Sequence, residues 1–345
     1  MPDILLQTTE LVKSFPIRSG FFGQHHHRLV AVDHVNLVIR KGETLGLVGE
    51  SGCGKTTLGL TIMRLHEPTS GSINFEGQEI TTLSAGDLMK ARRQMQMIFQ
   101  DPLASLDPRM VVEEIIREPL DIHGEGSAQE RSEAVGKLLR VTGMPADAAM
   151  RFPTEFSGGQ QQRIGIARAL ALKPKLLVCD EPVSSLDVSV QAQILNLLRD
   201  LQKQFKLTYL FISHNIAVTA FMSERIGVMY LGRLVEIGPS REIVNAPLHP
   251  YAMALINAVP DVEPGPRGRK RTVVGDVPSP INRPPGCPFH PRCPWVQDIC
   301  KTDLPPLREI TPDHFAACHF AEPGKTDVMF DAGSRGAAAA ILPRV

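Results

Sequence analysis

The chain has 345 residues, which at about 150 per domain argues for one large domain and a smaller one. Lys+Arg and Asp+Glu are both 37, so there is no net formal charge and no broad electrostatic case for nucleic acid as a partner. With 43% apolar and 21% charged residues, the chain can bury a sizeable core and is not disordered as a whole. No stretch approaches the ~18 uninterrupted apolar residues of a membrane span. The amino end, with Asp3 and Glu10 around a short apolar run, lacks the pattern of a signal peptide, so an intracellular protein is expected.

Residues 1 to about 245 alternate apolar strand-like runs with longer helix-like segments, the mark of an α/β domain without internal repeats. Residues 43–48 read as a buried strand running into a glycine loop, with a helix from about 55 to 65. The histidines His25, His26 and His27 read as a loop between strands rather than a metal site. The loop Gly49-Glu50-Ser51-Gly52-Cys53-Gly54-Lys55-Thr56-Thr57 matches the phosphate-binding P-loop. Its glycines let backbone N–H groups point at phosphates, and the helix N-terminus adds partial positive charge. Lys55 is placed to reach the β- and γ-phosphates, and the Thr56 hydroxyl to sit on Mg²⁺. The loop marks a nucleotide site without separating a kinase, a GTPase and an ATPase.

Further along, 94–99 is a second short strand, and roughly 103–172 is too long for a simple crossover and reads as a helical subdomain. Within it, Ser157-Gly158-Gly159-Gln160 opens a helix. Ser157 is a natural N-cap, and the two glycines leave the first N–H groups open to an anion. A second anion site beside a single P-loop makes sense if it completes a pocket in another subunit. The strand 175–179 leads to Asp180 and Glu181, two carboxylates at a C-terminal strand end, where parallel sheets place ligands. Asp180 is suited to hold Mg²⁺ through its water shell and Glu181 to activate a water against the γ-phosphate. A helix over 189–204, with Ile194, Leu197, Leu198 and Leu201 on one stripe, precedes a fourth strand at 207–212.

Together, Phe156-Ser157-Gly158-Gly159-Gln160, the P-loop and Asp180-Glu181 resemble the ATP-binding cassette (ABC) ATPases over about residues 4–258. The resemblance implies a P-loop NTPase fold: a RecA-like core with an antiparallel β subdomain and a helical subdomain. It also implies that two cassettes sandwich two ATP molecules, each signature helix facing the opposite P-loop. By the same resemblance, Gln100 contacts Mg²⁺ and senses the transmembrane partner. Ser184-Ser185-Leu186-Asp187 links the two sites, His214 lies at the γ-phosphate, and Phe15 stacks on adenine. Phe156 stands where Leu is commoner and Phe15 where Tyr is, neither of which removes a polar group.

From Pro260 to Pro294 there are ten prolines in 35 residues, incompatible with regular helix or a central strand. The basic run Arg267, Arg269, Lys270 and Arg271 reads as a solvated loop. Cys287, Cys293, Cys300 and Cys318 form C-x5-C-x6-C-x17-C in a segment poor in apolar runs, so a cross-link or a metal is a candidate organiser. Four thiolates suit Zn²⁺ or an iron–sulfur cluster, the paired C-x-x-C of zinc ribbons is missing, and disulfides or unlinked thiols stay open. Cys53 and Cys179 read as ordinary small buried residues.

His249-Pro250-Tyr251, Ala258-Val259-Pro260, Pro278-Ser279-Pro280-Ile281 and Gly286-Cys287-Pro288-Phe289-His290-Pro291-Arg292-Cys293-Pro294 resemble the C-terminal extension of oligopeptide and dipeptide importer ATPases. Ser105-Leu106-Asp107-Pro108-Arg109 and the run Val188 to Gln193 point the same way. The resemblance implies a [4Fe–4S] cluster on the four cysteines, with Zn²⁺ the alternative. The domains expected are an ATPase over 1–245, the extension over 246–320, and a mobile tail over 321–345. The function implied is ATP hydrolysis powering peptide import at the cytoplasmic face of a bacterial inner membrane, with nickel, glutathione or sugars as other cargoes. The details are similar to the F-type subunit. Implied partners are a second, non-identical cassette, two permeases and an extracytoplasmic binding protein, with no nucleic acid. A soluble non-transport ABC ATPase is the rival from another class, although one P-loop and no sustained heptads speak against it.

Overall fold

The computed structural model describes residues 3–19, 25–258, 276 and 278–324. The basic run at 267–271 and nearly all of the expected tail lie outside them. In chain order, β1 (Ile4–Ser19) and β2 (His25–Arg40) precede β3 (Thr44–Val48), and α1 (Lys55–Ile62) follows the glycine loop. His25, His26 and His27, expected in a loop, instead begin a strand. Next come β4 (Ser70–Phe75), β5 (Gln78–Glu79), α2 (Ala85–Arg93) and β6 (Met95–Ile98). Four helices follow: α3 (Pro102–Ser105), α4 (Val112–Ile122), α5 (Ala128–Val141) and α6 (Gly158–Leu170). Then come β7 (Leu176–Asp180), α7 (Val188–Phe205), β8 (Thr208–Ile212) and α8 (Ile216–Met222). Strands β9 (Arg225–Tyr230) and β10 (Arg233–Pro239) lead into α9 (Ser240–Asn245) and α10 (Pro250–Asn257). The C-terminal elements are α11 (Asp298–Thr302), β11 (Arg308–Thr311) and β12 (His314–Ala316).

Two compact units alternate along this order. One holds the described residues up to Leu5, Ile39–Glu43 and Phe75–Ile212; the other holds Leu6–Val38, Thr44–Asn74 and the described residues from Ser213 onward. In the first unit, β6, β7 and β8 run parallel, with Met97 opposite Val178 and Val178 opposite Leu210. All five residues of β7 and of β8 are buried, as expected for parallel strands covered on both faces. The helices after β6 build a core of their own from Ile115, Ile116, Leu139, Phe156 and Ile164. Helix α5 starts where a capping box dictates: Ser127 N–H donates to Glu130 Oε2 at 2.7 Å, and Glu130 N–H donates to Ser127 Oγ at 3.3 Å.

In the second unit, β3 pairs parallel to β9, β9 antiparallel to β10, β10 to β12 and β12 to β11. A core of Val48, Ile226, Val228, Tyr230, Tyr251 and Ile256 also takes in Cys287, Phe289 and Cys300 from the proline-rich stretch. Among the described residues no helix is long and apolar enough to cross a membrane.

Candidate functional site

The glycine loop belongs to the second unit. Every residue of β3 is buried, and the chain leaves that strand through the loop and re-enters a helix at Lys55. Gly54 caps α1 at φ 106°, in the left-handed region, and a Cβ there would stand 2.1 Å from the Ala31 carbonyl oxygen. Only glycine fits that turn. The loop is pinned from both sides: Cys53 N–H donates to the Glu50 carbonyl at 3.2 Å, and Gly232 N–H donates to the Cys53 carbonyl at 2.7 Å. Lys55 is 5% exposed, and its Nζ donates to the carbonyls of Gly49 at 2.8 Å and Glu50 at 3.1 Å. Ser51, Gly52 and Thr56 are exposed, so the loop is open to a ligand, and Thr57 is half-buried. Cys53 is buried 3.7 Å from Lys55 Nζ, and burial raises its thiol pKa, which keeps it neutral.

Phe15 lies on β1 in this unit, half-buried, with His66 edge-on at 5.4 Å between ring centroids and Lys13 Nζ 4.8 Å from its centroid. His214 is exposed two residues past β8. The neighbouring Ser213 is held where its N–H donates to the Leu47 carbonyl of β3 at 3.1 Å.

The carboxylates belong to the first unit. Asp180 is buried at the end of β7, and Glu181 follows at φ 45°, a left-handed conformation for a non-glycine residue. Such a conformation costs about 1–3 kcal/mol and persists only where its surroundings enforce it. Here Glu181 N–H donates to the Ile212 carbonyl at 2.9 Å. The turn directs the Glu181 carboxylate at Gln100, whose Nε2 donates to Oε2 at 3.2 Å. Two residues 81 positions apart, both singled out from the sequence, therefore meet.

In the same unit, Ser157 caps α6, and its N–H donates to Gln160 Oε1 at 3.0 Å. Ser157, Gly158 and Gln160 are exposed. Gly159 is buried against α7, where an added Cβ would stand 2.4 Å from Val190 Cγ1. Asp187, exposed, caps α7. Thus the second unit brings together the P-loop residues, and the first brings together Gln100 with Glu181 and the signature with the start of α7.

The four C-terminal cysteines require a correction. Cys287, Cys293, Cys300 and Cys318 line one hollow with His249 and Phe289, and none is in a disulfide. Yet among the described residues no group of three or more His, Cys, Asp or Glu side chains is placed to hold a metal ion. Neither the iron–sulfur cluster nor its zinc alternative is upheld. The segment has another organiser. Phe289, 1% exposed, packs on Tyr230 and Tyr251 at centroid distances of 5.3 and 5.5 Å, inside the core of its unit.

A contact that sequence reasoning missed lies beside the P-loop. Arg292 donates from both terminal nitrogens to the Glu50 carboxylate, at 2.9 and 3.0 Å, and Glu50 N–H donates to Tyr251 Oη at 2.8 Å. The available signal was an acidic residue inside a loop built for anions.

Comparison with known proteins adds the following. Residues 32–184 match the model of the ABC transporter family, and residues 235–300 match that of the oligopeptide/dipeptide transporter C-terminal region. The chain is 51% identical over 320 residues to the oligopeptide transport ATP-binding protein AppF of Bacillus subtilis, covering 92% of this chain and 97% of that protein. It is 50% identical over 314 residues to a putative peptide import ATP-binding protein of Brucella ovis, covering 91% and 97%. None of these names mentions iron or sulfur. Among solved structures, the ATP-binding cassette MJ0796, a dimer in a post-hydrolysis state bound to ADP and Pi, is similar at a TM-score of 0.61 and 29% identity. The match covers 68% of this chain and 99% of that one. The cassette CbiO1 of Clostridium perfringens matches at a TM-score of 0.60 and 27% identity, covering 70% and 90%.

Proposed function

The chain belongs to the ATP-binding subunits of ABC transporters, within the group that carries the oligopeptide/dipeptide C-terminal region, and from that premise we propose that it hydrolyses ATP to drive peptide import. One observation carries the cargo class: residues 235–300 match a region defined on oligopeptide and dipeptide transporters, whereas the cassette alone is shared across cargoes. Near-complete coverage of peptide transport relatives at about half identity supports the same reading.

In this reading, residues 1–245 are the ATPase, with Phe15 stacking on adenine and open backbone N–H groups of the glycine loop receiving the phosphates. Lys55 leaves its two carbonyl partners for the β- and γ-phosphates, exchanging neutral acceptors for a charged one. The hydroxyl of Thr56, the carboxylate of Asp180 and the amide oxygen of Gln100 are hard oxygen donors of the kind Mg²⁺ takes, and the ion neutralises phosphate charge when bound. Glu181 polarises the attacking water, and Gln100, already hydrogen-bonded to it, holds that carboxylate in place. His214 donates to the γ-phosphate. Ser157, Gly158, Gly159 and Gln160 offer their helix N-terminus to the nucleotide of a second cassette, and Asp187 lies at the shared face.

The second cassette is a different chain, and Gln100 marks the side that meets two permeases, with a binding protein delivering peptide from outside. The subunit sits on the cytoplasmic face of the membrane, and residues 246–320 are an appended region, whose Tyr251 and Phe289 share a core with Val48, Val228 and Tyr230. Affinity purification of the tagged chain from detergent-solubilised membranes tests this. Recovery with two membrane proteins and a second cassette is expected. Recovery with ribosomes or DNA and never with membrane proteins would overturn it.

A further inference from the structure

The P-loop carries its own electrostatic handicap. Between Gly49 and Thr57 the charged residues are Glu50 and Lys55, so the segment has no net charge of its own, although its ligand is a polyanion. A carboxylate in that loop repels phosphate unless a cation neutralises it. The chain supplies that cation from 242 residues away, in the proline- and cysteine-rich segment. Arg292, 7% exposed in its side chain, forms a two-pronged ion pair with a Glu50 side chain that is 30% exposed. Such fork geometry fixes direction as well as charge.

The guanidinium is itself held. Its carbon lies 5.9 Å from the ring centroids of both Tyr230 and Phe289, and Nη1 donates to Tyr230 Oη at 3.4 Å. Pairing with Glu50 raises the Arg292 pKa further, so its charge is permanent. Glu50 is in turn the hub of the loop. Its N–H goes to Tyr251, and its carbonyl accepts from Lys55 Nζ and Cys53 N–H. These contacts lie within one compact unit.

We propose that Arg292 is a positioning residue for ATP binding: by neutralising and orienting Glu50 it gives the P-loop a net positive charge, making the segment around Cys287 to Cys293 part of the nucleotide site. The inference rests on the ATPase reading and assigns the appended region a task within it.

Fluorescence titration of the full-length chain with MANT-ATP, beside thermal melts, tests this. Arg292→Ala is expected to weaken MANT-ATP binding about tenfold, the size of one uncompensated charge near a half-exposed anion site. The loss should grow at low salt, where repulsion is less screened. Combining Glu50→Gln with Arg292→Ala should restore affinity to within roughly threefold of the parent while leaving the melt as low as in Arg292→Ala. A purely structural tie predicts the opposite, because the double variant also lacks the ion pair. Arg292→Lys keeps the charge but loses the fork, so it should bind more weakly than the parent and more tightly than Arg292→Ala; if the alanine variant unfolds, binding by Arg292→Lys no weaker than the parent's would overturn the orienting role. Unchanged binding by Arg292→Ala, or no rescue in the double variant, would overturn the inference and leave the ATPase reading standing. Failure of the unsubstituted chain to bind MANT-ATP would overturn both.

Discussion

At the residue scale, Glu181 combines a left-handed backbone, φ 45°, with a carboxylate aimed at Gln100. That pairing is the geometry expected of a group held in place before its substrate arrives. The substitution Glu181→Gln keeps the shape and removes the base, so turnover in a phosphate-release assay should fall by about 10²–10⁴-fold while MANT-ATP binding persists. Gly54 is the second test. Its φ of 106° and the 2.1 Å approach of the Ala31 carbonyl leave no space for a methyl group, so Gly54→Ala should lower the melting point and abolish nucleotide binding together. Most of these residues were legible in the sequence because P-loops and strand-end carboxylates are local patterns whose chemistry follows from spacing. Arg292 was not, since nothing in a Pro-rich run announces a partner 242 residues earlier.

At the scale of elements, the strands expected at 43–48, 94–99, 175–179 and 207–212 each form within about a residue of those bounds, because buried parallel strands are continuous apolar runs. The start of α6 depends on its neighbour: Gly159 touches α7 so closely that a methyl group meets Val190 Cγ1 at 2.4 Å. Gly159→Ala should therefore displace the signature and reduce ATP hydrolysis, and adding Val190→Ala should recover part of the loss, since the second change removes the obstructing atom. Unaltered hydrolysis in the single variant would show that the contact is slack. Helix α10 makes a different prediction. His249 caps it by accepting from Tyr251 N–H at Nδ1, 3.0 Å, and its own N–H donates to the buried Glu236 carboxylate, which also meets His314. Burial drops the His249 pKa from 6.5 to about 3, so the unfolded chain takes up a proton that the folded chain refuses as pH falls below about 6.5. Stability should drop by up to ~1.4 kcal/mol per pH unit through that window. The variant His249→Asn keeps a capping acceptor and cannot titrate, so its melting temperature should fall less between pH 6.5 and 4.5. Equal slopes for the two proteins would remove His249 as the cause.

At the scale of the whole molecule, four clustered cysteines in a core-poor segment argued for a metal, but the segment takes its order from Phe289 in a shared aromatic core and from the Arg292–Glu50 pair. Burial of a distant partner is what a one-dimensional pattern does not carry. The cassette was legible almost completely, because its chemistry is written in short motifs; how the appended region meets the P-loop was not. Coupled to permeases, the proposed subunit should turn over ATP in response to peptide arriving outside. The most direct measurement is uptake of labelled peptide by proteoliposomes containing this chain, its partner cassette and both permeases, with ATP inside and the peptide-loaded binding protein outside. Peptide should accumulate with ATP consumption and stop on Glu181→Gln; steady ATP hydrolysis with no peptide uptake, whichever peptides are offered, would contradict peptide import as the function.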